Sequence, residues 1–324
     1  MTPPATIPAL VDRLRHGDTR ALARAISLVE NDAPEAPALL SACFTHTGHA
    51  IRIGITGAPG AGKSTLVDRL AQHFRHADRT VGLIAVDPTS PFTGGALLGD
   101  RIRLREHASD PGFYARSMAT RGALGGIALA TADAALVLEA SGKGVILIET
   151  VGVGQDEIEI ARLADITLVV LVPGMGDDVQ SLKAGVMEIA DIFVVNKSDR
   201  EGADRVEQEI RSLQSLASDH PAHTPPVVRT VATTGDGIDA LATAIYEMQQ
   251  WLLQENRLTQ RRAEHWQRRL DAMLRTELMR RARQNGFDAN ILQSHAIRIA
   301  SGLEDPWQLV AELTEKVFSP GDSS

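Results

Sequence analysis

The stretch "IRIGITGAPGAGKSTLVDRL", residues 51–70, decides the fold of this chain. Its apolar run 51–56 is typical of a buried strand, and "KSTLVDRLAQHF" is typical of a helix. Between them, residues 57–65 fit the pattern G-x-x-x-x-G-K-[ST]. Glycines let such a loop fold its backbone N–H groups around phosphate oxygens at the start of a helix. The sequence therefore predicts a phosphate-binding loop.

Each residue of this loop is a candidate nucleotide contact. We expect Lys63 to reach the outer phosphates and the hydroxyl of Ser64 to ligate Mg²⁺. The predicted contacts are Gly57, Ala58, Pro59, Gly60, Ala61, Gly62, Lys63, Ser64 and Thr65.

Further short apolar runs follow the loop, separated by segments of helical character. Including the first, these runs are 51–56, 81–86, 145–149, 167–172, 192–195 and 227–231. Short apolar runs that alternate with helices indicate a parallel sheet covered on both faces. The predicted fold class is α/β, a P-loop NTPase with a mostly parallel central sheet flanked by helices.

Helical extensions are predicted on both sides of this block. Residues 8–30 carry apolar side chains at helical spacing with a break near 16–18, and a loop rich in Pro and Ala follows. Residues 251–285 are helical in propensity and contain nine Arg against four acids, and a last helix has Asp305 as its N-cap and Pro306 at its first position. We predict an N-terminal helical extension (1–48), a GTPase domain (49–250) and a C-terminal helical dimerisation arm (251–324).

The composition excludes several classes of protein. The chain has 324 residues, a net charge of −8 and one cysteine, Cys43. Strong bulk attraction to nucleic acid or to an anionic membrane is not expected from this charge, and an internal disulfide is impossible. No apolar run is long enough to span a membrane, and the N-terminal residues lack the apolar core of a signal peptide. The expected location is the cytoplasm.

A second motif predicts which base the nucleotide carries. "IFVVNKSD" places Asn196, Lys197 and Asp199 directly after an apolar run. A carboxylate there can accept hydrogen bonds from N1–H and the exocyclic amine of guanine, a donor pair that adenine lacks. "VATTGDG", 231–237, would complete the base pocket with backbone from Thr233, Thr234 and Gly235. These residues predict GTP or GDP as the ligand.

Three acidic residues are candidates for the Mg²⁺ site. Asp87 and Glu149 follow apolar runs, and Asp100 lies in the segment "GGALLGDRIRL". The carboxyl ends of parallel strands meet at the ligand edge of such a sheet, and Mg²⁺ takes oxygen ligands directly or through its waters. Asp87 and Glu149 can each also be a solvated strand end, and the pattern does not place the segment that holds Asp100. Lys183, after "PGMGDDVQS", is either a surface lysine or a cation that offsets charge during phosphoryl transfer.

The chain resembles the MeaB/ArgK family, the GTPases associated with methylmalonyl-CoA mutase, in its stand-alone type. Nearly the whole chain takes part in this resemblance. The motifs that carry it are "GDTRALARAISLVE", "GITGAPGAGKSTL", "VDPTSPFTGGALLGDRIR", "FYARSMATRGALGG", "ETVGVGQDE", "PGMGDDVQSLKAGVMEIADIFVVNKSD" and the closing "DPW".

The resemblance implies a function and roles for individual residues. Family members are GTPases that gate cofactor delivery to adenosylcobalamin-dependent acyl-CoA mutases and help to replace damaged cofactor. By this resemblance Asp87, Asp100 and Glu149 organise Mg²⁺ and its waters, Gln155 lies on a second switch, and Lys183 lies on a third switch that supports hydrolysis. A homodimer formed through the C-terminal helices is also implied.

The sequence departs from the family pattern in two places. Phe92, Thr93 and Leu97 stand where small Ser and Ile side chains are common, and Thr233 and Thr234 stand where Ser-Ala is usual. The cobalamin-binding motif D-x-H-x-x-G does not occur in the sequence. The expected mutase partner is therefore a separate polypeptide.

Three alternative functions stay open at this point. A metallochaperone GTPase for nickel enzymes would need clustered His or Cys, whereas the ten His are scattered and Cys43 is alone. A kinase or transport-associated ATPase would prefer ATP. A nucleotide-sensing scaffold would act through binding, without a need for hydrolysis.

Overall fold

A computed structural model describes residues 6–87, 110–119, 126–150, 163–174, 187–216, 223–284 and 289–318 of the chain. Within these residues, seven strands form one sheet in the order β3-β2-β4-β1-β5-β6-β7, and every neighbouring pair is parallel. The strands are β1 (Ile51–Gly57), β2 (Val81–Asp87), β3 (Phe113–Ala119), β4 (Val145–Thr150), β5 (Ile166–Leu171), β6 (Ile192–Asn196) and β7 (Val227–Thr230). The predicted α/β class with a parallel central sheet is confirmed.

Helices pack on both faces of the sheet, and further helices follow it along the chain. Those that the structure describes are α1 (Ile7–Arg15), α2 (Thr19–Glu30), α3 (Ala36–Phe44), α4 (Lys63–His76), α5 (Gly126–Ala140), α6 (Ala203–Leu216), α7 (Ile238–Leu253), α8 (Arg257–Gln284), α9 (Ala289–Ala300) and α10 (Pro306–Phe318), with a single helical turn at Met187–Ile189. Among the helices in the described residues, none combines the length and the apolar character needed to cross a membrane.

Strand β4 shows why its first four residues, Val145 to Ile148, are all apolar. Val145 and Leu147 belong to the core cluster that contains α4 and α7, whereas Ile146 and Ile148 belong to the cluster that contains α1, α2, α3 and α5. Successive side chains of a strand point to opposite faces. A strand that is buried on both faces therefore needs an unbroken apolar run, as parallel sheets generally do.

The strand order places a crevice at the end of β1. From β1 the chain builds the β2–β4 side of the sheet first and then continues to β5, β6 and β7 on the other side. In open parallel sheets, ligands bind outside the carboxyl ends of the strands where the order reverses in this way. The loop after β1 begins at this point, between the carboxyl ends of β4 and β5.

Two elements differ from the sequence-based expectation. Strand β3 was not among the predicted strands, because Tyr114 and Arg116 interrupt its apolar character. It is an edge strand, and the guanidinium of Arg116 forms an ion pair with Glu30 of α2. Helix α3 occupies part of the region predicted as a loop, and Pro37 lies in its first turn, where proline is tolerated.

Two predicted helix boundaries, the break near residues 16–18 and the start of the last helix at Pro306, are confirmed. Helix α1 ends and α2 begins around Gly17, which has a φ angle of 84°. At the last helix, Oδ1 of Asp305 accepts hydrogen bonds from the backbone N–H of Trp307 and Gln308, at 2.8 and 3.3 Å. Asp305 is therefore the N-cap and Pro306 the first residue of α10, as the sequence indicates.

A buried carboxylate fixes the chain where it enters β1. The side chain of Glu139, on α5, is fully buried. Its Oε1 accepts hydrogen bonds from the backbone N–H of Gly48 and Ala50 at 2.6 and 2.8 Å, and its Oε2 accepts one from Nη2 of Arg52 at 3.0 Å. The carboxylate therefore joins α5 to the amino end of β1. The loop that follows β1 leaves from the other end of the same strand.

The chain forms two compact units, Met1–Arg261 and Arg262–Ser324. Arg261 closes the first unit: its guanidinium bonds both carboxylate oxygens of Asp191, at 2.8 and 2.9 Å, and the carbonyl oxygen of Asp165 at 2.6 Å. Between α7 and α8, Glu255 and Asn256 have φ angles of 51° and 58°. This left-handed backbone interrupts the helical pattern predicted from residue 251.

Candidate functional site

Three glycines in the loop between β1 and α4 have positive φ angles, and at two of them a Cβ atom would also clash with a neighbour. Gly57 has a φ angle of 139° and Gly62 one of 87°, values that residues with a side chain rarely adopt. A Cβ atom at Gly57 would lie 2.2 Å from the carbonyl oxygen of Val170, and one at Gly62 would lie 2.5 Å from Nδ2 of Asn196. The two glycines let the loop lie directly against the ends of β5 and β6.

The side chain of Lys63, the first residue of α4, folds back onto this loop. Its Nζ donates hydrogen bonds to the carbonyl oxygens of Gly57 and Ala58 at 2.6 and 2.9 Å, and the residue is only 5% exposed. Lys63, Ser64 and Thr65 form the first turn of α4, where backbone N–H groups and the helix dipole favour an anion. The ammonium group and the helix start together make a site suited to phosphate.

Ser64 and Glu149 are brought together at the carboxyl edge of the sheet. Oγ of Ser64 donates a hydrogen bond of 2.6 Å to Oε1 of Glu149, which lies near the end of β4 and is 8% exposed. A hydroxyl oxygen and a carboxylate oxygen at hydrogen-bond distance are the hard ligands that Mg²⁺ prefers. The donor set present here therefore fits that ion.

Asp87 ends the strand next to β4. The backbone of β2 pairs with β4 so that Val86 lies opposite Thr150, which places Asp87 one residue beyond that pair. Its backbone therefore leaves the sheet at the same edge as Glu149. The other predicted catalytic and metal residues, Asp100, Gln155 and Lys183, lie outside the described residues.

Asn196 connects the phosphate loop to the segment that follows β7. Its Nδ2 donates to the carbonyl oxygen of Ala61 at 2.8 Å, and its Oδ1 accepts from Oγ1 of Thr230 and from the backbone N–H of Ala232, both at 3.1 Å. The side chain is 1% exposed, so these hydrogen bonds are protected from water. Asn196 thus braces two loops at once.

Lys197 and Asp199 follow Asn196 at the same edge. Lys197 has a φ angle of 55°, and its Nζ donates to the carbonyl oxygen of Gly60 at 2.7 Å, so the lysine stem lies beside the phosphate loop. Asp199 is exposed, in the turn after β6. Lys197 and Asp199 thus both lie beyond the carboxyl end of β6, where the sequence analysis expects the base.

The segment after β7 forms a tight turn. The backbone N–H groups of Thr234 and Gly235 donate to the carbonyl oxygen of Val231 at 3.1 and 2.9 Å, and Gly235 has a φ angle of 91°. Oγ1 of Thr234 donates to Oδ2 of Asp236 at 2.8 Å. The residues that meet Asn196 are Thr230 and Ala232, which precede the predicted base contacts Thr233, Thr234 and Gly235.

One further residue contacts this turn. Arg69, on α4, donates from Nε to the carbonyl oxygen of Ala232 at 3.1 Å and from Nη2 to that of Thr233 at 2.9 Å. The sequence analysis did not single out Arg69, Thr230 or Ala232. An arginine two turns into a helix has no distinguishing local pattern, whereas a threonine that ends an apolar strand could have been noticed.

The sequence matches one described family over most of its length. The family model described as "Methylmalonyl Co-A mutase-associated GTPase MeaB" matches residues 22–287. The GTPase ArgK of Escherichia coli is 37% identical over 264 residues, 79% of this chain and 80% of that protein. A Pyrococcus abyssi protein, whose name assigns it provisionally as a GTPase, is 54% identical over 259 residues, 79% of this chain and 80% of that protein.

Two further similarities extend over almost the whole chain. The mitochondrial methylmalonic aciduria type A homolog of Caenorhabditis briggsae is 29% identical over 335 residues, 98% of this chain and 81% of that protein. A solved structure described as an LAO/AO transport system kinase superposes with a TM-score of 0.70 at 27% identity, over 97% of this chain and 98% of that one. Taken with the phosphate loop and the family match over residues 22–287, these similarities show that the chain belongs to the family of MeaB-type, methylmalonyl-CoA mutase-associated P-loop GTPases.

Proposed function

We propose that this GTPase serves an adenosylcobalamin-dependent acyl-CoA mutase on a separate chain, and that it gates loading, protection and reactivation of the mutase cofactor. The observation that carries the proposal is the family match over residues 22–287, because that family is described by its association with methylmalonyl-CoA mutase. The similarity to the methylmalonic aciduria type A homolog over 98% of the chain supports the same kind of client.

In the proposed nucleotide complex, the phosphates of GTP lie in the loop Gly57–Thr65. Lys63 exchanges its two carbonyl partners, at Gly57 and Ala58, for phosphate oxygens. The guanine base lies beside Lys197, with Asp199 accepting its N1–H and its amine. Thr233, Thr234 and Gly235 border the base from the other side.

The proposed Mg²⁺ site consists of oxygen ligands at the carboxyl edge. Ser64 and Glu149 support it because their side chains already meet at 2.6 Å. Asp87 and Asp100 complete the proposed set. When bound, Mg²⁺ supplies positive charge that offsets the charge developing on the phosphate oxygens.

Glu149 also has a task of its own in this site. Its carboxylate accepts a hydrogen bond from the Ser64 hydroxyl, so the lone pairs of the Ser64 oxygen point away from the carboxylate. Gln155 and Lys183 complete the proposed hydrolytic site: Gln155 orients the attacking water, and Lys183 offsets negative charge in the transition state.

A homodimer through the C-terminal helices is part of the proposal. Large apolar side chains of the second unit are exposed, among them Leu270 at 59%, Leu274 at 58% and Trp307 at 82%. Leu270 and Leu274 lie one turn apart on α8, and an exposed apolar patch commonly marks an interaction site. A second copy of the chain would cover it.

A binding experiment with purified proteins tests the proposed client. We expect the protein to co-elute with methylmalonyl-CoA mutase or isobutyryl-CoA mutase in the presence of a non-hydrolysable GTP analogue. We also expect GTP hydrolysis to become faster when the client is added, because a partner can order the loops around the γ-phosphate. Equal hydrolysis rates with and without each mutase, together with no co-elution, would contradict the proposal.

A nucleotide kinase or transport-associated function is the second candidate. The observation that favours it is the similarity to the structure described as an LAO/AO transport system kinase. It predicts turnover of ATP and a phosphorylated acceptor. Comparing GTP and ATP hydrolysis by the purified protein separates the two, since preference for ATP would contradict the guanine assignment.

The metallochaperone alternative fits the structure less well. Cys43, the one cysteine of the chain, is fully buried in α3 among apolar side chains. Burial raises the pKa of its thiol to about 11, whereas a metal ligand must be a thiolate. Cys43 is therefore a core residue and is poorly suited to bind nickel.

A further inference from the structure

Arg69 lies on α4 and faces the turn after β7. Its guanidinium forms three hydrogen bonds: Nε to the carbonyl oxygen of Ala232 at 3.1 Å, Nη2 to that of Thr233 at 2.9 Å, and Nη1 to Oε1 of Gln72 at 3.2 Å. Gln72 is held in turn by Oδ2 of Asp68, to which its Nε2 donates at 3.0 Å. Gln72, on the same helix, therefore orients the guanidinium of Arg69 so that it donates hydrogen bonds to the turn.

Ala232 is held from two directions. Its N–H donates to Oδ1 of Asn196, and its carbonyl oxygen accepts from Arg69. Ala232 is 3% exposed. Asn196 also bonds Ala61 of the phosphate loop, and Arg69 lies on the helix that this loop starts. The turn after β7 is thus tied to the phosphate site by two side chains, of which only Asn196 belongs to the N-K-x-D motif.

The hydrogen bonds from Arg69 fix the orientation of the peptide groups at Ala232 and Thr233, as well as the position of their carbonyl oxygens. In a trans peptide, the N–H of one residue points away from the carbonyl oxygen of the residue before it. Holding the carbonyl oxygen of Ala232 therefore sets the direction of the N–H of Thr233. Holding that of Thr233 supports the direction of the N–H of Thr234, which also donates to the carbonyl oxygen of Val231. A guanidinium suits this task because its rigid fork of donors reaches two acceptors at once.

We infer that Arg69 is a positioning residue for guanine recognition: from the phosphate-loop helix it holds the turn at Ala232 and Thr233 in the orientation that the base requires. The inference rests on guanine nucleotide binding at this site and deepens it. Arg69 acts through the turn and is not itself a contact of the base. Its loss is expected to loosen base selection while the phosphate contacts of Lys63 stay in place.

The test measures base selection directly. The affinities of the purified protein for GDP and ADP are determined by displacement of a fluorescent GDP analogue, for the wild type and for Arg69→Ala. We expect the affinity for GDP to fall about tenfold, as for loss of hydrogen bonds from a charged donor, and the affinity for ADP to change less than about twofold. The KM for GTP should rise while kcat at saturating GTP stays within about twofold.

Two further variants separate positioning from stability. Arg75→Ala is the matched control, because Arg75 lies on the same helix and bonds Asp110 and the carbonyl oxygen of Arg79, away from the turn. It should lower the melting temperature and leave the GDP-to-ADP ratio unchanged. Arg69→Lys keeps the charge but lacks the fork, so its ratio should lie between those of Arg69→Ala and the wild type.

The outcomes are distinguishable from those of the proposed function, because the assay contains no mutase. A GDP-to-ADP ratio in Arg69→Ala equal to that of the wild type would overturn the inference, whatever the melting temperature. If Arg69→Ala does not fold, the ratio of Arg69→Lys decides in the same way. A wild-type protein that prefers ADP would overturn both the guanine assignment and the role of Arg69.

Discussion

At the scale of single residues, Glu149 shows how position determines chemistry. It follows four apolar residues as the last but one residue of β4, is almost completely buried, and accepts the hydrogen bond of Ser64. A buried carboxylate is costly unless a hydrogen bond or a cation compensates it. Many P-loop GTPases carry Asp in a D-x-x-G motif at this point of the sequence, and Gly152 keeps that spacing here. The longer side chain of Glu149 suits a contact with Mg²⁺ through water.

The first prediction follows from the charge of Glu149. Glu149→Gln keeps the shape of the side chain and an oxygen for Ser64, but removes the negative charge. We expect Mg²⁺-dependent GTP hydrolysis to fall about 10- to 100-fold, as for other groups that orient a metal site. The measurement is the rate of phosphate release as Mg²⁺ is titrated.

The control for this variant is Glu201→Gln, which changes an exposed glutamate in the turn after β6. Its hydrolysis rate should equal that of the wild type, and both variants should keep the wild-type circular dichroism spectrum. Full activity of Glu149→Gln would show that this carboxylate is only a polar strand end.

The second prediction concerns Cys43 and alkaline pH. Its thiol has a pKa raised to about 11 by burial, above the ordinary value of 9.0. A raised folded-state pKa gives stability that is fully present below pH 9 and is lost as the pH rises toward 11. We expect the free energy of unfolding, from urea titrations, to decrease over this range more steeply in the wild type than in Cys43→Ala.

The same burial makes the thiol unreactive in the folded protein. Ellman's reagent at pH 8 should label no cysteine until urea unfolds the chain, and should then label one. Rapid labelling of the native protein would contradict the buried position of Cys43.

At the scale of elements, polar side chains connect the sheet to its surroundings at both ends of the strands. Asn196 and Arg69 tie loops together at the carboxyl edge, and Glu139 joins α5 to β1 at the amino edge. The fully buried carboxylate of Glu139 pairs with Arg52 at 3.0 Å, and Nδ1 of His49 lies 4.0 Å from its Oε1. Removing one partner of such a group is expected to cost far more than removing a surface ion pair.

The third prediction is that Glu139→Gln lowers the free energy of unfolding by about 3 kcal/mol, as for breaking a buried ion pair. The amide oxygen can still accept from Gly48 and Ala50, but the amide NH₂ group would face the guanidinium of Arg52, donor against donor. Urea denaturation measures the change.

The affinity of Glu139→Gln for GDP should stay at the wild-type value, because Glu139 lies at the edge of the sheet away from the loop. Glu35→Gln serves as the control, since Glu35 is exposed and makes no side-chain cap at α3. A loss in Glu139→Gln no larger than that in Glu35→Gln would mean that the buried carboxylate adds no net stability.

The elements also show what a single sequence can predict. The doubly buried strands and the phosphate loop have strong local signals, namely unbroken apolar runs and a fixed glycine spacing. Strand β3 was missed because its polar side chains are compensated by a contact far away in the sequence, the ion pair of Arg116 with Glu30. The role of Arg69 was hidden for the same reason, because its partners are more than 160 residues away along the chain.

At the scale of the whole molecule, the chain forms two compact units. The first, Met1–Arg261, contains the candidate nucleotide site, and the second, Arg262–Ser324, consists of helices with exposed apolar side chains. Arg261 anchors the start of α8 to Asp191 within the first unit. The residues before α8, Glu255 and Asn256, adopt a left-handed backbone that costs non-glycine residues free energy. This cost falls within the first unit, at the break between α7 and α8.

The last prediction tests whether the second unit joins two copies of the chain. Leu270 and Leu274 lie one helical turn apart on α8 and are 59% and 58% exposed. If a second copy covers them, a charge placed there must be buried without a partner on association, which strongly disfavours the dimer. We expect the double variant Leu270→Asp, Leu274→Asp to elute as a monomer in size-exclusion chromatography with light scattering, where the wild type elutes as a dimer. Thr276→Asp adds a charge at an exposed polar position on the other face of the same helix and should stay dimeric. All three proteins should bind GDP equally because the nucleotide site lies in the first unit. A double variant that remains dimeric would place the interface elsewhere on the chain.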